Sequence, residues 1–392
     1  MKSLTTLCSG LLTLLGVVQI SAQSGFDILW QTNTPLTPVD AIAISGDSSR
    51  VAASTDNPGP NVKVWDAPTG NLLRTVSYSG EIPLTAALSS NGEYVAAGGS
   101  RMRIWRVSDG VRVWIGGTGD NIVRSISYSS TDAYLSIGRG DGINVVNAPL
   151  GGGIPFGEPL GEVLGVCFSP DGSTLASANE THAANLWSMP GGELIREFIG
   201  HSNVVCSVDF SSDGRLLVTA SFDGTARLWN VTNGVCLLVI EGAGGSGSYN
   251  PVGYNGVSGT AVKFSADGKL LYTLTSETLK IWRVKDGACI RSIYEPGLLV
   301  FDIAKSGKYF AYGNIQGSVV VARMPLVVDE FTRADNETVL SWQGGSGLYQ
   351  LQSSTNLVSN GWQNLGSATT NTVATNVSAT SQFFRVQSLP NP

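Results

Sequence analysis

Between Val39 and Val321 the chain alternates short apolar stretches with turns rich in Gly, Asp, Asn and Ser. Apolar and polar positions interchange with a period of two, which predicts β-strands. No stretch sustains a 3.6-residue period. A strand of the form apolar–x–apolar–Trp recurs as VKVWD, MRIWR, ANLWS, ARLWN and LKIWR, carrying Trp65, Trp105, Trp187, Trp229 and Trp282. The interval from Trp105 to Trp187 is 82 residues, two periods of 41, and INVVNAPLGG fills the gap with Val146 in the Trp position. SVVVARMP supplies a seventh copy. Tight turns repeat independently at SGDSS, SSNGE, SSTDA, SPDGS, SSDGR, SADGK and KSGK, beginning near Ser45, Ser89, Ser129, Ser169, Ser211, Ser265 and Lys305. Their spacing is 40 to 44 residues, with one interval of 54. Both markers count seven units.

These motifs resemble the WD-repeat family over roughly residues 26–325. The WD dipeptide survives as Trp65–Asp66 and the Gly–His dipeptide as Gly200–His201. The resemblance implies an all-β fold, a seven-bladed β-propeller of four-stranded blades. The seventh unit has three strands and stops at Pro325, while FDILWQ (Phe26–Gln31) precedes the first unit without partners. An open propeller exposes an unpaired strand edge, so the N-terminal strand is expected to complete the last blade. Residues 326–392 leave the period. Through Trp342, Tyr349, Leu351, Trp362 and Phe384–Arg385–Val386 they resemble the fibronectin type III-like modules of secreted bacterial proteins, implying a small β-sandwich with those aromatics in its core.

The first 22 residues differ: Lys2 precedes an apolar run from Leu4 to Ile20, followed by Ser21 and Ala22. That pattern predicts a signal peptide cleaved after Ala22, hence a secreted, periplasmic or cell-surface protein, bacterial by the tail resemblance, with no membrane association after cleavage. Losing Lys2 takes the net charge from −6 to −7, and no basic stripe exists, which argues against nucleic acid. Cys167, Cys206, Cys236 and Cys289 invite a disulfide reading by their even number. The repeat places them on different strands and mostly on different blades, so free thiols are expected.

One unit carries a polar constellation. His201 lies 20 residues before Ser221, with Asp223 two further and Trp229 six beyond that. The resemblance implies that His201, Ser221, Asp223 and Trp229 form a hydrogen-bonded chain tying the blade together. The same residue types suggest a hydrolase triad, but no nucleophile elbow accompanies them. His182, in SANETHAANLW, reads as a loop histidine. Two histidines and no CxxC pair leave no zinc pattern, and no cofactor is expected.

In an antiparallel blade, the turns from second to third strand and the blade-to-blade connections share one rim. Asp40, Asp56, Glu81, Asp120, Asp141, Glu158, Glu162, Glu180, Glu241, Glu277 and Glu295 fall on it, against Arg101 and Arg139. Arg50, Arg215, Lys269, Lys305 and Lys308 fall on the opposite rim. The single long interval contains EGAGGSGSYNPVGYNGVSG (Glu241–Gly259), a connection rich in Gly, Tyr and Asn. Asp56, Tyr78, Tyr249, Asn250, Tyr254, Asn255 and Tyr294 are therefore the candidate partner-binding residues. The expected function is a non-catalytic binding platform or scaffold, monomeric, with a protein or peptide partner of basic character; an acidic rim suits divalent cations as well. The alternative is a propeller enzyme acting on a sugar, phosphoester or peptide at the axial rim, although no convergent catalytic constellation stands in the sequence.

Overall fold

The computed structural model describes residues 26–32, 37–55, 59, 61–78, 83–116, 121–149, 151–154, 156, 161–246, 261–275, 277–325, 327–334, 337–343, 349–354, 363–364 and 383–388. The chain divides into two compact units, one of Ile28–Ala288 with Ser292–Ala322, the other of Met1–Asp27, Cys289–Arg291 and Arg323–Pro392.

Seven four-stranded sheets form a β-propeller, and no helix occurs among the described residues. Blade 1 comprises Val39–Ile44, Arg50–Thr55, Asn61–Asp66 and Leu72–Ser77, from the axis outward. Blades 2 to 6 repeat that order, starting at inner strands Thr85–Leu88, Val123–Tyr128, Val163–Phe168, Val205–Phe210 and Ala261–Phe264. Blade 7 contains Leu298–Ile303, Tyr309–Asn314 and Val319–Arg323, and its fourth strand is Ile28–Gln31. The pairing is antiparallel, with Ile28 opposite Ala322 and Gln31 opposite Val320. An edge that would otherwise stay open is thereby covered.

The recurring turn has a local cause. Ser211 Oγ donates to Asp213 Oδ1 at 2.6 Å and accepts from the Leu216 N–H at 3.0 Å. Ser169 with Asp171 and Ser265 with Asp267 repeat this geometry. The turn places its fourth residue in the left-handed region, where Gly214 sits at φ 70° without a Cβ penalty. Ser48 and Asp132 hold the same place at φ 61° and 59°, which is why two of the seven turns lack glycine there.

Along each inner strand, alternate residues face the blade core and the axis. Val208 and Phe210 are buried in the hydrophobic cluster with Trp229, so Asp209 between them faces the axis. Neighbouring blades are joined by aromatic pairs. The outer strand of one blade, or the residue just beyond it, supplies a ring that packs on the tryptophan of the next. Tyr78 meets Trp105 at 6.0 Å between centroids, Phe156 meets Trp187 at 5.3 Å and Phe198 meets Trp229 at 5.7 Å. Trp30, on the N-terminal strand, does the same for blade 1, 6.2 Å from Trp65, while its Nε1–H donates to the Ala67 carbonyl at 2.6 Å. The N-terminal strand thus provides a wedge as well as an edge partner.

Cys167, Cys206 and Cys236 are free thiols, and Cys206 is buried while Cys167, Cys236 and Cys289 are half-buried. Beyond Pro325 the described strands form two sheets, one of Val327–Ala334 with Glu337–Gln343, the other of Gln363–Asn364, Tyr349–Ser354 and Phe383–Ser388. Residues 1–22, read from the sequence as a signal peptide, lie outside the described residues.

Candidate functional site

The polar chain of blade 5 starts from strand register. Trp229 pairs with Leu217 and Arg227 with Thr219. This brings the Trp229 Nε1–H onto Thr219 Oγ1 at 2.9 Å. Thr219 Oγ1 is also 2.7 Å from His201 Nε2, and His201 Nδ1 is 2.8 Å from Asp223 Oδ2. With a neutral imidazole protonated on Nδ1, every member is satisfied: indole donates to hydroxyl, hydroxyl to Nε2, and Nδ1–H to carboxylate. Burial lowers the His201 pKa, and the hydrogen bond and charge of Asp223 only partly oppose that. Burial raises the Asp223 carboxyl, but hydrogen bonds from Thr225, His201 and the backbone of Thr225 and Ser202 outweigh it, bringing the pKa to about 2.

The hydroxyl in this chain is Thr219, not Ser221. Ser221 donates to the Asn203 carbonyl at 3.0 Å and accepts from the Asp223 N–H at 3.1 Å, so it braces the turn instead. Both hydroxyls lie on one face of the strand, and the register selects the one diagonal to the tryptophan. The same contact recurs in blade 4, where Trp187 Nε1 donates to Ser177 Oγ at 3.1 Å, and in blade 6, where Trp282 Nε1 donates to Thr273 Oγ1 at 2.8 Å. A Ser or Thr nine or ten residues before the repeat tryptophan was the readable signal.

Hydroxyl, imidazole and carboxylate in series have the connectivity of a hydrolytic triad, but the nucleophile position is closed. Thr219 and Ser221 are fully buried, and Thr219 Oγ1 is engaged by the indole. No carbonyl substrate can reach it without opening the blade, so the chain acts as a strand tie.

The rim residues separate into distinct environments. Adjacency of turn and connection is direct: the Glu180 N–H bonds the Glu162 carbonyl at 3.0 Å, and the Glu295 N–H bonds the Glu277 carbonyl at 3.0 Å. Tyr294 is 65 % exposed, and its hydroxyl donates to Glu277 Oε2 at 3.2 Å, while Glu277 Oε1 accepts from the Gly297 N–H at 2.9 Å. That hydrogen bond to the carboxylate raises the Tyr294 phenol pKa. Burial raises the Glu295 carboxyl, offset in part by the Tyr312 hydroxyl.

Two expectations need correction. Tyr78 is fully buried, donates its hydroxyl to the Arg101 carbonyl and carries the Arg103 guanidinium 4.0 Å above its ring, so it is an interblade wedge and no part of a free surface. Glu162 is buried too, bonded by Arg124 Nε at 2.6 Å, which removes it from the exposed acidic set. Asp141, Glu180 and Glu241 remain exposed.

The long connection is shorter than the sequence suggests, because the outer strand of blade 5 runs from Cys236 to Ser246, with Ser246 opposite Asp223. Gly244 is no mobile link there: a Cβ would collide with the carbonyl oxygens of Ser221 and Thr225. Asp56, Tyr249, Asn250, Tyr254 and Asn255 lie outside the described residues. So do Glu81, Asp120 and Glu158.

A third polar group, unmarked by any motif, lies on the axis. The seven inner strands enclose a cavity of about 630 Å³. On one wall Asp302 Oδ2 accepts from the Ile44 N–H at 2.8 Å, Asp209 Oδ2 from the Phe264 N–H at 2.8 Å, and Asp209 Oδ1 from the Cys167 thiol at 3.5 Å. Lys263 Nζ stands 3.5 Å from Asp302 Oδ1. Among the described residues no three His, Cys, Asp or Glu are grouped to hold a metal ion, and no helix is long and apolar enough to cross a membrane.

Blade count and strand order define a seven-bladed β-propeller, with an indole–hydroxyl tie in blades 4, 5 and 6. The family model described as WD domain, G-beta repeat, matches residues 156–188 and 192–230. The first match spans the first three strands of blade 4, and the second runs from the outer strand of blade 4 through the third strand of blade 5. The chain is also 28 % identical over 162 residues to autophagy-related protein 16 of Arabidopsis thaliana, a match covering 38 % of this chain and 30 % of that protein.

Proposed function

We propose that this chain is an exported, non-catalytic interaction protein that binds a protein or peptide of basic character on the rim carrying the second-to-third-strand turns. A WD-repeat propeller is consistent with a protein-interaction role. Tyr294 carries the proposal: its ring is 65 % exposed yet held by the Glu277 carboxylate. An exposed aromatic that is already oriented loses little entropy on binding, the property that makes tyrosine a frequent anchor. Exposed carboxylates at Asp141, Glu180 and Glu241 on the same rim favour a basic partner. Export rests on the leader at residues 1–22, and the tail is assigned as a fibronectin type III-like sandwich on its aromatic landmarks. Asp56, Tyr249, Asn250, Tyr254 and Asn255 complete the proposed surface; Tyr78 is withdrawn from it.

The test is crosslinking of the protein at its native location, followed by mass spectrometry and a binding measurement on the captured partner. Tyr294→Ser should weaken binding at least about tenfold, equivalent to 1.4 kcal/mol, with little change in melting. Crosslinks confined to the opposite rim or to the tail, or unaltered binding by Tyr294→Ser and a Tyr249→Ser/Tyr254→Ser double variant, refute the proposal.

A further inference from the structure

The walls of the axial cavity are unlike one another. At the depth of Lys263, the inward positions of blades 1 to 3 are Ala43, Ala87 and Ser127, side chains too short to fill the space before them. Across from them stand Asp209, Lys263 and Asp302, from blades 5, 6 and 7. The two carboxylates are occupied. Asp209 receives the Phe264 N–H and the Cys167 thiol, while Asp302 receives the N–H groups of Ile44 and Ile303.

Lys263 is different. Its single ion-pair contact is the one at 3.5 Å to Asp302, and its side chain is 35 % exposed toward the cavity. An ammonium has three N–H donors, and the others meet no acceptor among the described residues. Burial disfavours its charge, yet the carboxylates of Asp302 and Asp209 outweigh this and hold it protonated above the ordinary lysine range. A charged donor therefore faces an open volume bounded by small side chains.

We propose that the axial cavity binds a single carboxylate group, received by the Lys263 ammonium and seated against the small wall of Ala43, Ala87 and Ser127. A single negative charge is favoured over a dianion such as phosphate, because Asp209 and Asp302 beside the ammonium repel each further negative charge. The carboxylate belongs either to a small organic acid or to a peptide C-terminus entering along the axis. This site is separate from the rim and stands or falls apart from it.

Acetate and its uncharged counterpart methyl acetate are the probes, titrated against the full chain by saturation-transfer NMR. Acetate should bind and methyl acetate should not. Lys263→Met should weaken acetate at least about tenfold, whereas Lys269→Met, a lysine on the turn after the same inner strand and outside the cavity lining, should leave it unchanged. Because Lys263→Met deprives Asp302 of its counter-charge, Ala87→Leu provides an independent variant. It narrows the opposite wall, leaves every charge in place and should weaken binding comparably. Trialanine and its C-terminal amide separate the sources. Binding of the free acid but not the amide identifies a chain terminus, and acetate binding without trialanine binding identifies a small acid. No acetate binding, equal binding of acetate and methyl acetate, or parental affinity in whichever of the two cavity variants folds overturns the proposal.

Discussion

The Asp302 carboxylate accepts the backbone N–H of Ile44 at 2.8 Å, although 258 residues of chain separate them. The two residues lie on the inner strands of blades 7 and 1, the blades on either side of the ring closure. The bond is therefore a second clasp, on the axis, complementing the N-terminal strand at the perimeter. Asp209 makes the same bond to Phe264 between blades 5 and 6.

Asp302→Ala should loosen that seam. It leaves a backbone donor unsatisfied and Lys263 without its partner, a loss of about 1–3 kcal/mol or more. Hydrogen exchange at the Ile44 amide should accelerate more than at the core amides of blade 4. Uniform acceleration, or none, would assign the bond no role in closure.

Removing Phe26–Thr32 should lower the melting temperature of the propeller as a whole, since it takes away both the edge partner of Val319–Arg323 and the wedge on Trp65. Trp30→Ala tests the wedge alone. Trp30 is half-buried, so its cost should fall below the about 3–5 kcal/mol of emptying a fully buried Trp site. A truncated chain that melts with the parent would show that the ring closes without this strand.

Within blade 5, Thr219→Val should cost about 1–3 kcal/mol by leaving the Trp229 indole and His201 Nε2 unpaired. Ser221→Ala should cost less, near the about 1 kcal/mol of an ordinary hydrogen bond, because it leaves the Trp229–Thr219–His201–Asp223 chain intact. Trp229→Ala should exceed both, at about 3–5 kcal/mol. Denaturant melts of the three variants rank them, and a Ser221 loss larger than that of Thr219 would restore the sequence-based assignment.

The pH dependence follows from His201 and Asp223. Burial keeps the His201 pKa below 6.5 when folded, so the unfolded chain takes up the proton first and stability falls as pH drops below 6.5. Asp223, at about 2 when folded against an ordinary 3.8, contributes stability above 3.8 that is lost as pH falls toward 2. His201→Gln should flatten the dependence just below pH 6.5 and leave the loss below pH 4 largely in place. A parental profile in that variant would remove His201 from the acid response.

Much of the blade-5 site was legible before the fold. His201, Asp223 and Trp229 stand at the spacing of the WD repeats they resemble, and the structure bonds the first two directly. The hydroxyl was misread because Thr219 and Ser221, two residues apart, share a face of one strand. Alternation cannot rank them; only the pairing of Trp229 with Leu217 does. Tyr78 was misread for a related reason. An aromatic at the end of an outer strand has the same local pattern whether it meets solvent or the next blade, and the packing on Trp105 decides.

What the sequence determined by itself is the part written in local terms and repeated. Period-2 strands, Ser–x–Asp turns and a tryptophan every forty or so residues specify a blade, and seven copies with one unpaired leading strand specify the ring. The axis was decided by tertiary structure alone. Asp209, Lys263 and Asp302 occupy equivalent positions on three strands, each surrounded by apolar neighbours and unremarkable in its own segment. Closing the ring places them on one wall, because rotation from blade to blade turns the same position of every inner strand toward a common centre. Charge, cavity and seam there are products of closure, which no single repeat encodes.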